Sequence, residues 1–494
     1  MNIGKLLDEI VVKKGNEECL IFEDKIFKYK DVLEKTNKYA NFFKSIGIEK
    51  GKKVGIFLQN SPEYIFSYFA IFKMGATGVP IDHRLKVNEL CTLLNHSQSE
   101  YLITYNFKDF NADEIKKKVP SIKKIILIDE KVQNTLFIGD SENFPSSFPT
   151  RDIDENSIAL ILYTSGTTGT PKGVIWTYKN LESPIESFRY FNLFKDGETT
   201  LCCIPFSHNG GIIYPLLIIL GVKLVLMRMY QPLLLLKNLL NWKVDFLFIV
   251  PTMLIGILNL KEIDEFLLPD LKWAAVFGAP SSPDILEKFS KVAPNAKLFS
   301  GYGLTESSAP NFLHPLDKIK LDSVGMPVPW IEVKIIDKEG KEVKKGEVGE
   351  LIMKGWPITP GYYNQPDITK EVIKDGWLYT GDIGRFDEDG YLYIVGRKKE
   401  MIKVGGLYVF APEIEGVIYK HPKVKEVAVV GVPDELRGES VKAIIVPKED
   451  GITENEIKKF CRQYLASYKI PTIVEFRKEL PKTGIGKIKK ESLK

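Results

Sequence analysis

Short apolar runs alternate with amphipathic segments through much of the first 300 residues. The run VGIFLQN at 54–60 predicts a buried strand. A helix is predicted directly after it, because Ser61 suits an N-cap, Pro62 the first helical turn and Gly75 a stop. SIALILYT at 157–164 predicts another strand, and TTLCCIPF, VKLVLM, VDFLFIV and LKWAAVF continue the series. Strands that alternate with helices favour an α/β fold with parallel sheets covered on both faces.

The pattern changes after about residue 325. The stretch 331–355 predicts two strands around a polar KEGKE turn. The Lys-rich end of the chain predicts a small α+β unit, with strands in HPKVKEVAVVGVPDE and SVKAIIVPKED and a helix in NEIKKFCRQYL. Charged residues cluster at 397–400 between two apolar pieces, which favours a domain boundary there, although composition alone does not fix it.

The most apolar stretch, IIYPLLIILGVKLVLM at 212–227, is interrupted by Pro215 and Lys223 and is too short to cross a bilayer. It predicts a buried helix followed by a buried strand. The N-terminus lacks the basic start, long apolar run and small-residue cleavage site of a signal peptide. We therefore expect no integral membrane segment.

Composition narrows the classes of partner. The 494 residues suffice for two or more domains, and 68 basic against 64 acidic residues give a net charge of +4. This near balance implies neither a nucleic-acid nor a membrane partner. The five cysteines are scattered without CxxC spacing, and Cys202 and Cys203 lie in an apolar run, which predicts packed thiols. We expect a cytoplasmic location rather than a disulfide scaffold.

The stretch YTSGTTGTPKGV at 163–174 crowds glycines and hydroxyls around Lys172. Glycines let backbone N–H groups approach an anion, hydroxyls add donors and the lysine adds a charge, so the loop suits a phosphate. A plain polar surface loop is the alternative. No Ser or Thr follows Lys172 to hold magnesium, as the GxxxxGK[ST] pattern requires, so a Walker-type ATPase is disfavoured.

Three further motifs follow in order, namely GYGLTES at 301–307, YTGDIGRFDEDGYLYIVGRKKEMIKVGG at 379–406 and PKTGIGKIKK at 481–490. Together with the first motif they make the chain resemble the adenylate-forming enzymes, which include acyl-CoA synthetases, aryl-CoA ligases, luciferases and peptide-synthetase adenylation domains. The resemblance implies an AMP-binding adenylation domain at 1–398, containing a small β-barrel-like subdomain, and a mobile α+β domain at 399–494. Their hinge would lie near Lys399.

The family runs two half-reactions, and the resemblance implies ATP, Mg²⁺ and coenzyme A as cofactors. A carboxylate attacks the α-phosphorus of ATP to give acyl-AMP and pyrophosphate, and a thiol then displaces AMP. Such chemistry depends on positioning and charge neutralisation. The resemblance assigns the β- and γ-phosphates to the following residues: Thr164, Ser165, Gly166, Thr167, Thr168, Gly169 and Lys172.

The resemblance also assigns the rest of the nucleotide. Tyr302 would offer its face to adenine, Thr305 its hydroxyl to the α-phosphate, and Glu306 a carboxylate to Mg²⁺, against the alternative of a solvated loop carboxylate. The adenine edge would meet a segment that could otherwise be a plain turn: Gly278, Ala279 and Pro280.

The C-terminal motifs carry the remaining assignments. Asp382 would bind the ribose hydroxyls, and Arg397 would reach the ribose and the α-phosphate, although an arginine in a Lys-rich run is usually only solvated. Lys487 would bridge the substrate carboxylate and the α-phosphate. Rotation at the hinge would then withdraw Lys487 and bring in 403–406.

The incoming segment has its own implied roles. Gly405 and Gly406 would leave room for a pantetheine arm. Lys403 and Tyr408 stand where some relatives contact the nucleotide, with the tyrosine departing from the amide of some aryl-CoA ligases.

The segment IPFSHNGGI at 204–212 resembles the border of the acyl pocket. His208 would gate that pocket, against the alternative of a satisfied core histidine. No acidic residue stands in PFSHNGG to pair with an ammonium, so an α-amino acid is disfavoured. The apolar surroundings favour a hydrophobic acyl or aryl acid, without setting its length.

The predicted function is therefore an ATP-dependent acid–CoA ligase acting on a medium- or long-chain fatty acid. The chain ends soon after Lys487, so we expect the acyl acceptor to be a separate molecule, either CoA or a free-standing acyl carrier protein. The alternatives are an aryl-CoA ligase, a stand-alone acyl-AMP ligase and a catalytically silent sensor. Against the silent sensor stand five residues: Lys172, Glu306, Asp382, Arg397 and Lys487. Oligomeric state is not predicted.

Overall fold

The protein is described from a computed structural model. The structure describes residues 3–164, 171–278, 283–405, 407–449, 451–482 and 488–494, apart from the side chains of 283 and 284. Predicted site residues outside these ranges are Ser165, Gly166, Thr167, Thr168, Gly169, Ala279, Pro280, Gly406 and Lys487.

Strands and helices alternate through the first 300 residues, as the apolar pattern predicts. The strands are β1 (Glu18–Phe22), β2 (Lys25–Lys28), β3 (Lys53–Ile56), β4 (Thr77–Pro80), β5 (Tyr101–Thr104), β6 (Lys124–Leu127), β7 (Leu136–Phe137), β8 (Ile158–Thr164), β9 (Lys172–Thr177), β10 (Thr199–Cys202), β11 (Lys223–Leu226), β12 (Phe246–Ile249), β13 (Trp273–Val276), β14 (Lys297–Ser300), β15 (Phe312–Leu313), β16 (Met326–Pro327), β17 (Ile331–Ile336), β18 (Gly349–Gly355), β19 (Ile373–Lys374), β20 (Trp377–Phe386), β21 (Leu392–Arg397), β22 (Met401–Val404), β23 (Leu407–Phe410), β24 (Val424–Asp434), β25 (Gly438–Pro447) and β26 (Ile473–Phe476). The helices are α1 (Ile3–Lys14), α2 (Tyr29–Ser45), α3 (Pro62–Met74), α4 (Val87–Ser97), α5 (Ala112–Lys118), α6 (Glu182–Tyr190), α7 (Asn209–Ile218), α8 (Pro232–Asn241), α9 (Pro251–Leu258), α10 (Pro283–Val292), α11 (Pro366–Val372), α12 (Ala411–Tyr419) and α13 (Glu454–Cys461).

Two seven-stranded sheets form the large N-terminal lobe. The first has the order β7-β6-β5-β3-β4-β8-β9, and the second has the order β14-β13-β12-β10-β11-β1-β2. The prediction of an α/β fold with parallel sheets is confirmed, with one refinement. Each sheet ends in an antiparallel edge strand, because β9 pairs antiparallel with β8 and β2 with β1.

Local signals account for the predicted helix α3. Ser61 accepts a hydrogen bond from the backbone N–H of Tyr64, Pro62 occupies the first turn, and Gly75 ends the helix in a left-handed conformation. Apart from Glu63, the residues of α3 are buried. A helix that is apolar on all sides belongs in the interior, and α3 packs against α1, α2 and β4 within the main hydrophobic core.

The other predicted elements also form. The stretch 212–227 becomes the end of α7 followed by β11. All five cysteines are free and buried, as the packed-thiol interpretation requires. Among the described residues, no helix is both long and apolar enough to span a bilayer.

The chain then builds two smaller sheets. β17, β18, β20, β19 and β21 form a five-stranded antiparallel sheet that corresponds to the predicted small subdomain. β22 to β26 form the sheet of the small C-terminal lobe, covered by α12 and α13. A short 3₁₀ turn at Lys398–Glu400 joins the two sheets. The predicted hinge residue Lys399 lies in this turn, and its movement stays a prediction.

We expect the protein to lose stability steeply in alkali. Burial raises the pKa of Tyr39, Tyr68 and Tyr214 well above the usual value for tyrosine. Above about pH 10 these side chains ionise in the unfolded chain but stay protonated in the folded one, so unfolding releases protons and stability falls as pH rises. Each such tyrosine should contribute about 1.4 kcal/mol per pH unit.

Urea unfolding at about pH 9 and at about pH 11 measures this effect, and the urea concentration at the unfolding midpoint should be lower at the higher pH. Tyr39→Phe should make the fall shallower, because phenylalanine cannot ionise. An unchanged midpoint across that range would contradict the assignment.

Candidate active site at the facing sheet edges

The carboxyl ends of strands from both large sheets meet, which is where parallel α/β sheets place their ligands. Asn60, which follows β3 of the first sheet and is 2% exposed, clamps the second sheet. Its amide nitrogen donates to the carbonyls of Ile204 (3.0 Å) and Met227 (3.2 Å), and its oxygen accepts from the backbone N–H of Phe206 (2.9 Å). This one side chain fixes the loop after β10 against the end of β3.

The phosphate-loop motif connects two antiparallel strands. Thr164 ends β8, Lys172 begins β9, and the two residues are direct cross-strand partners. A Walker loop instead leads from a strand into a helix. The hairpin therefore agrees with the prediction that this loop is not of the Walker type.

Lys172 belongs to a chain of contacts that leads to Glu306. Its ammonium lies 5.8 Å from the centre of the Tyr362 ring. The Tyr362 hydroxyl donates to Glu306 Oε1 at 2.8 Å, and burial together with the Glu306 carboxylate raises the pKa of Tyr362. Tyr362 thus contacts both Lys172 and Glu306.

Sequence reasoning missed Tyr362. The signal that could have found it is TPGYYN at 359–364, a turn rich in aromatic and polar residues. The backbone of this turn extends the first sheet, since Ile175 N donates to Gly361 O and Tyr363 N to Gly173 O.

The backbone at Thr305 and Glu306 is held from two sides. The Trp176 indole donates to the Thr305 carbonyl at 2.7 Å, and the Thr359 N–H donates to the Glu306 carbonyl at 2.8 Å. Trp176 is fully buried in β9. The motif GYGLTES is therefore fixed relative to the Lys172 strand by these two hydrogen bonds.

Glu306 fits the role of magnesium ligand. Its side chain is partly exposed, and Tyr362 supplies a hydrogen bond to only one of its oxygens. Among the residues that the structure describes, no three His, Cys, Asp or Glu side chains converge. A lone carboxylate suits Mg²⁺, which commonly takes one or two protein carboxylates and completes its shell with phosphates and water.

Tyr302, Asp382 and Arg397 form a second cluster. The Tyr302 hydroxyl donates to Asp382 Oδ2 at 2.6 Å, and Arg397 Nε lies 2.8 Å from Asp382 Oδ1. Asp382 on β20 and Arg397 on β21 are cross-strand partners, and Asp382 is only 3% exposed.

The charges in this cluster reinforce one another. Burial and the adjacent Asp382 raise the pKa of Tyr302. Burial acts to lower the pKa of Arg397, but Asp382, Tyr302 and Glu400 together outweigh it and raise that pKa. The site therefore holds a neutral phenol, a carboxylate and a guanidinium in contact.

Gly278 continues the same edge of the second sheet. It follows β13 with φ +89°, and a Cβ placed there would lie 3.7 Å from Val250 Cγ1. Gly301 N donates to Val276 O, which brings the end of β14 beside the end of β13. Gly278 and Tyr302 are thus neighbours along one sheet edge.

His208 has charged partners that sequence reasoning missed. Its Nε2 lies 3.2 Å from Asp82 Oδ2 and 3.3 Å from an Arg84 nitrogen, and Arg84 donates to both oxygens of Asp82 at 2.7 and 2.6 Å. Burial acts to raise the pKa of Asp82, but His208 and Arg84 hold it well below its usual range.

The position of Asp82 ties this cluster to the phosphate loop. Gly78 on β4 pairs in parallel with Leu160 on β8, so Asp82, which follows β4, and Thr164, which ends β8, lie at the same edge of the sheet. The sequence signal that could have revealed Asp82 and Arg84 is the group of charged residues that follows the buried strand TGVP. The contact with His208 spans 126 residues of sequence and is set by the tertiary fold.

The segment predicted for thioester formation lies on the C-terminal lobe. Lys403 and Tyr408 are cross-strand partners in the hairpin β22–β23. Gly405 has φ +57°, with no atom within 4 Å of an added Cβ, so the tight turn itself requires glycine. Tyr408 touches the large lobe, since its ring centre lies 4.3 Å from the Lys338 ammonium.

Two family models match this chain. The model for AMP-binding enzyme matches residues 7–363, and that for AMP-binding enzyme C-terminal domain matches residues 413–487. The first match alone covers more than half of the 494 residues.

Curated relatives are similar over nearly the full length. A long-chain-fatty-acid–CoA ligase of Bacillus subtilis (strain 168) is 32% identical over 529 aligned residues, covering 99% of this chain and 94% of the relative. A crotonobetaine/carnitine–CoA ligase of Proteus mirabilis (strain HI4320) is 31% identical over 515, covering 100% and 98%.

Solved structures agree. The anthranilate CoA ligase AuaEII in complex with anthranoyl-AMP has a TM-score of 0.92 at 27% identity, covering 100% of this chain and 96% of that one. ATP-bound MatB from Rhodopseudomonas palustris has a TM-score of 0.91 at 25% identity, covering 100% and 98%. With its sheets, its ordered motifs and these relatives, the chain belongs to the AMP-binding enzyme family, as one of the acyl-CoA synthetases.

Proposed function

We propose that this enzyme joins a medium- or long-chain fatty acid to coenzyme A, through an acyl-AMP intermediate. The choice of acid rests on one observation about the second sheet: the residues after its strands change from nucleotide motifs to apolar residues across the sheet. Neighbouring strands in this sheet run in the order β14, β13, β12, β10. Tyr302 and Gly278, which stand at the nucleotide motifs, follow β14 and β13. Val250 follows β12, and the loop before α7 follows β10. An acid bound there would have its carboxylate near the nucleotide and its body among apolar residues.

Charge pairing supports an acid without an amino group. Asp82 is the carboxylate within reach of His208 among the described residues, and Arg84 already engages both of its oxygens. A substrate ammonium entering there would find no free carboxylate and would be costly to bury. The residues of α7 from Gly211 to Ile218 are buried, and all but the first are apolar or aromatic.

The proposed chemistry uses the described residues as positioning groups. Lys172 and Thr164 stand at the two ends of the loop that would cradle the β- and γ-phosphates. Asp382 would accept bonds from the ribose hydroxyls, with Arg397 fixing its orientation. A magnesium ion held at Glu306 would supply charge neutralisation on the phosphates. The barrier then falls through proximity and fixed charge, without a protein nucleophile.

A substrate panel tests the proposal. Saturated acids of increasing chain length, benzoate derivatives and α-amino acids are each supplied with ATP and either CoA or a phosphopantetheinylated acyl carrier protein. We expect the highest kcat/KM for a medium- or long-chain fatty acid with CoA. Higher activity on benzoates would favour the aryl-CoA ligase, and transfer to the carrier protein alone would favour the acyl-AMP ligase. Best use of an α-amino acid would contradict the charge argument.

Asp82→Asn should weaken acid binding selectively. The substitution preserves size but removes the negative charge beside Arg84 and His208, so the loop before α7 keeps the hydrogen bonds of Asn60 but has a weaker contact at His208. We expect KM for the acid to rise about ten-fold, equivalent to about 1.4 kcal/mol, with little change in KM for ATP. Steady-state kinetics with each substrate varied in turn measures both constants. An equal rise in both would contradict a role at the acid site.

A further inference from the structure

A cleft lies between the two lobes, lined by residues of both. It has a volume of about 70 Å³ and is open to solvent. One wall comes from α9 and α10 of the large lobe, and the other from the end of α12 and the open end of the β24–β25 hairpin. The nine lining residues are Ile255, Leu258, Asn259, Ile285, Lys288, Tyr419, Val424, Lys425 and Lys448.

Lysines from both lobes face this cleft. Lys288 comes from α10, Lys425 from the start of β24, and Lys448 directly follows β25. The lining contains no carboxylate, and among the described residues none of the three has an acidic partner within 4 Å. Elsewhere among the described residues, neighbouring lysines share a carboxylate, as Lys52 and Lys123 share Glu100.

The surroundings of Lys448 change the pKa of its ammonium group. Burial, together with the positive charge of Lys288, lowers the pKa of Lys448. Like charges held together without a counter-ion destabilise the arrangement, and an anion between them would reverse that effect.

The residues that line the cleft favour an anion with both a phosphate group and an apolar part. Ile255, Leu258 and Ile285 form an apolar wall beside the lysines, and the Tyr419 ring adds a flat surface. Lysine is a strong partner for phosphate oxygens, so a phosphate group would meet the charges while any organic part meets the wall.

We propose that a phosphate-bearing anion binds in this cleft and bridges the two lobes through Lys288, Lys425 and Lys448. The site is separate from Lys172 and from the phosphate-loop motif. Its ligand is either free inorganic phosphate or a phosphate monoester with an apolar body, and the two sources differ in whether they use the apolar wall.

Labelling of the full-length protein with pyridoxal 5′-phosphate tests the site. Its phosphate would bind the cleft, and its aldehyde would condense with the neutral amine of Lys448, releasing water. Borohydride then adds hydride to the imine and gives a stable secondary amine. Peptide mass spectrometry reports each lysine separately, so labelling at Lys172 does not interfere. We expect Lys448 to react about ten-fold faster than Lys459 of the same lobe, a gain equivalent to about 1.4 kcal/mol of phosphate binding beside Lys448.

Competitors and variants complete the test. Inorganic phosphate and butyl phosphate are added in separate arms and should both slow labelling of Lys448, with the more effective competitor identifying the source. Lys288→Met should lower Lys448 labelling from across the lobe boundary, whereas Lys291→Met on the same helix should not. Labelling of Lys448 at the rate of Lys459, unaffected by either competitor, would overturn the proposal. So would a Lys288→Met variant that labels like the parent protein.

Discussion

Glu306→Gln is expected to slow AMP formation by about 10²–10³-fold, the loss typical of removing one fixed electrostatic group. Glutamine keeps the size of the side chain and can still accept from Tyr362. It loses the negative charge that makes Glu306 a fit for magnesium. The measurement is acid-dependent AMP formation at saturating ATP, repeated over a magnesium titration. The variant should need more magnesium and should not regain full activity.

Tyr362→Phe is the matched control for this effect. It removes the hydroxyl that donates to Glu306 Oε1 but leaves the carboxylate and the ring beside Lys172. We expect a loss of about ten-fold, at the lower end of the range of about 1.5–3 kcal/mol for a lost hydrogen bond to a charged group. If the tyrosine variant fell as far as Glu306→Gln with the same magnesium response, the hydrogen bond rather than the charge would be the essential feature.

Arg397→Met is expected to abolish tight nucleotide binding and to lower stability. The substitution strands the 3% exposed carboxylate of Asp382, which Arg397 and Tyr302 partner in the folded protein. Breaking a buried ion pair costs about 3–5 kcal/mol, and the partial exposure of Arg397 reduces our expectation to about 2 kcal/mol. Urea unfolding measures the stability, and equilibrium binding of ATP measures the site.

Two further variants separate stability from function. Arg385→Met alters an arginine of the neighbouring strand β20, whose guanidinium lies 4.5 Å from the centre of the Tyr393 ring, and should leave ATP binding intact. The double variant Arg397→Met, Asp382→Asn should recover much of the lost stability, because no buried charge is left unpaired. It should still bind ATP poorly. Recovered ATP binding in the double variant would contradict a direct role for this pair.

Local signals made much of the fold predictable. The helix α3 follows from Ser61, Pro62 and Gly75, whose capping roles act over a few residues. The buried strand β8 follows from an unbroken apolar run. The antiparallel edge strand β9 was not predicted, because its own apolar pattern does not say which strand it pairs with.

The site was predictable only in part, since motifs name residues but not their partners. Tyr302, Asp382 and Arg397 were each singled out, yet their mutual contact depends on pairing between β20 and β21 and on the end of β14. Sequence analysis did not identify Asp82, Arg84 or Tyr362, because segments that are distant in sequence bring them to His208 and Glu306 in the fold. Gly405 was interpreted as leaving room for a ligand, whereas its positive φ supplies a backbone reason for glycine.

The central claim is that this chain activates a carboxylic acid by transferring AMP to it. Incubation with ATP, magnesium, radiolabelled pyrophosphate and a fatty acid, without CoA, measures the first half-reaction alone. The account predicts acid-dependent incorporation of label into ATP, and loss of that exchange in Glu306→Gln. Absence of exchange with every acid in the panel, from a protein that is folded and binds ATP, would contradict it.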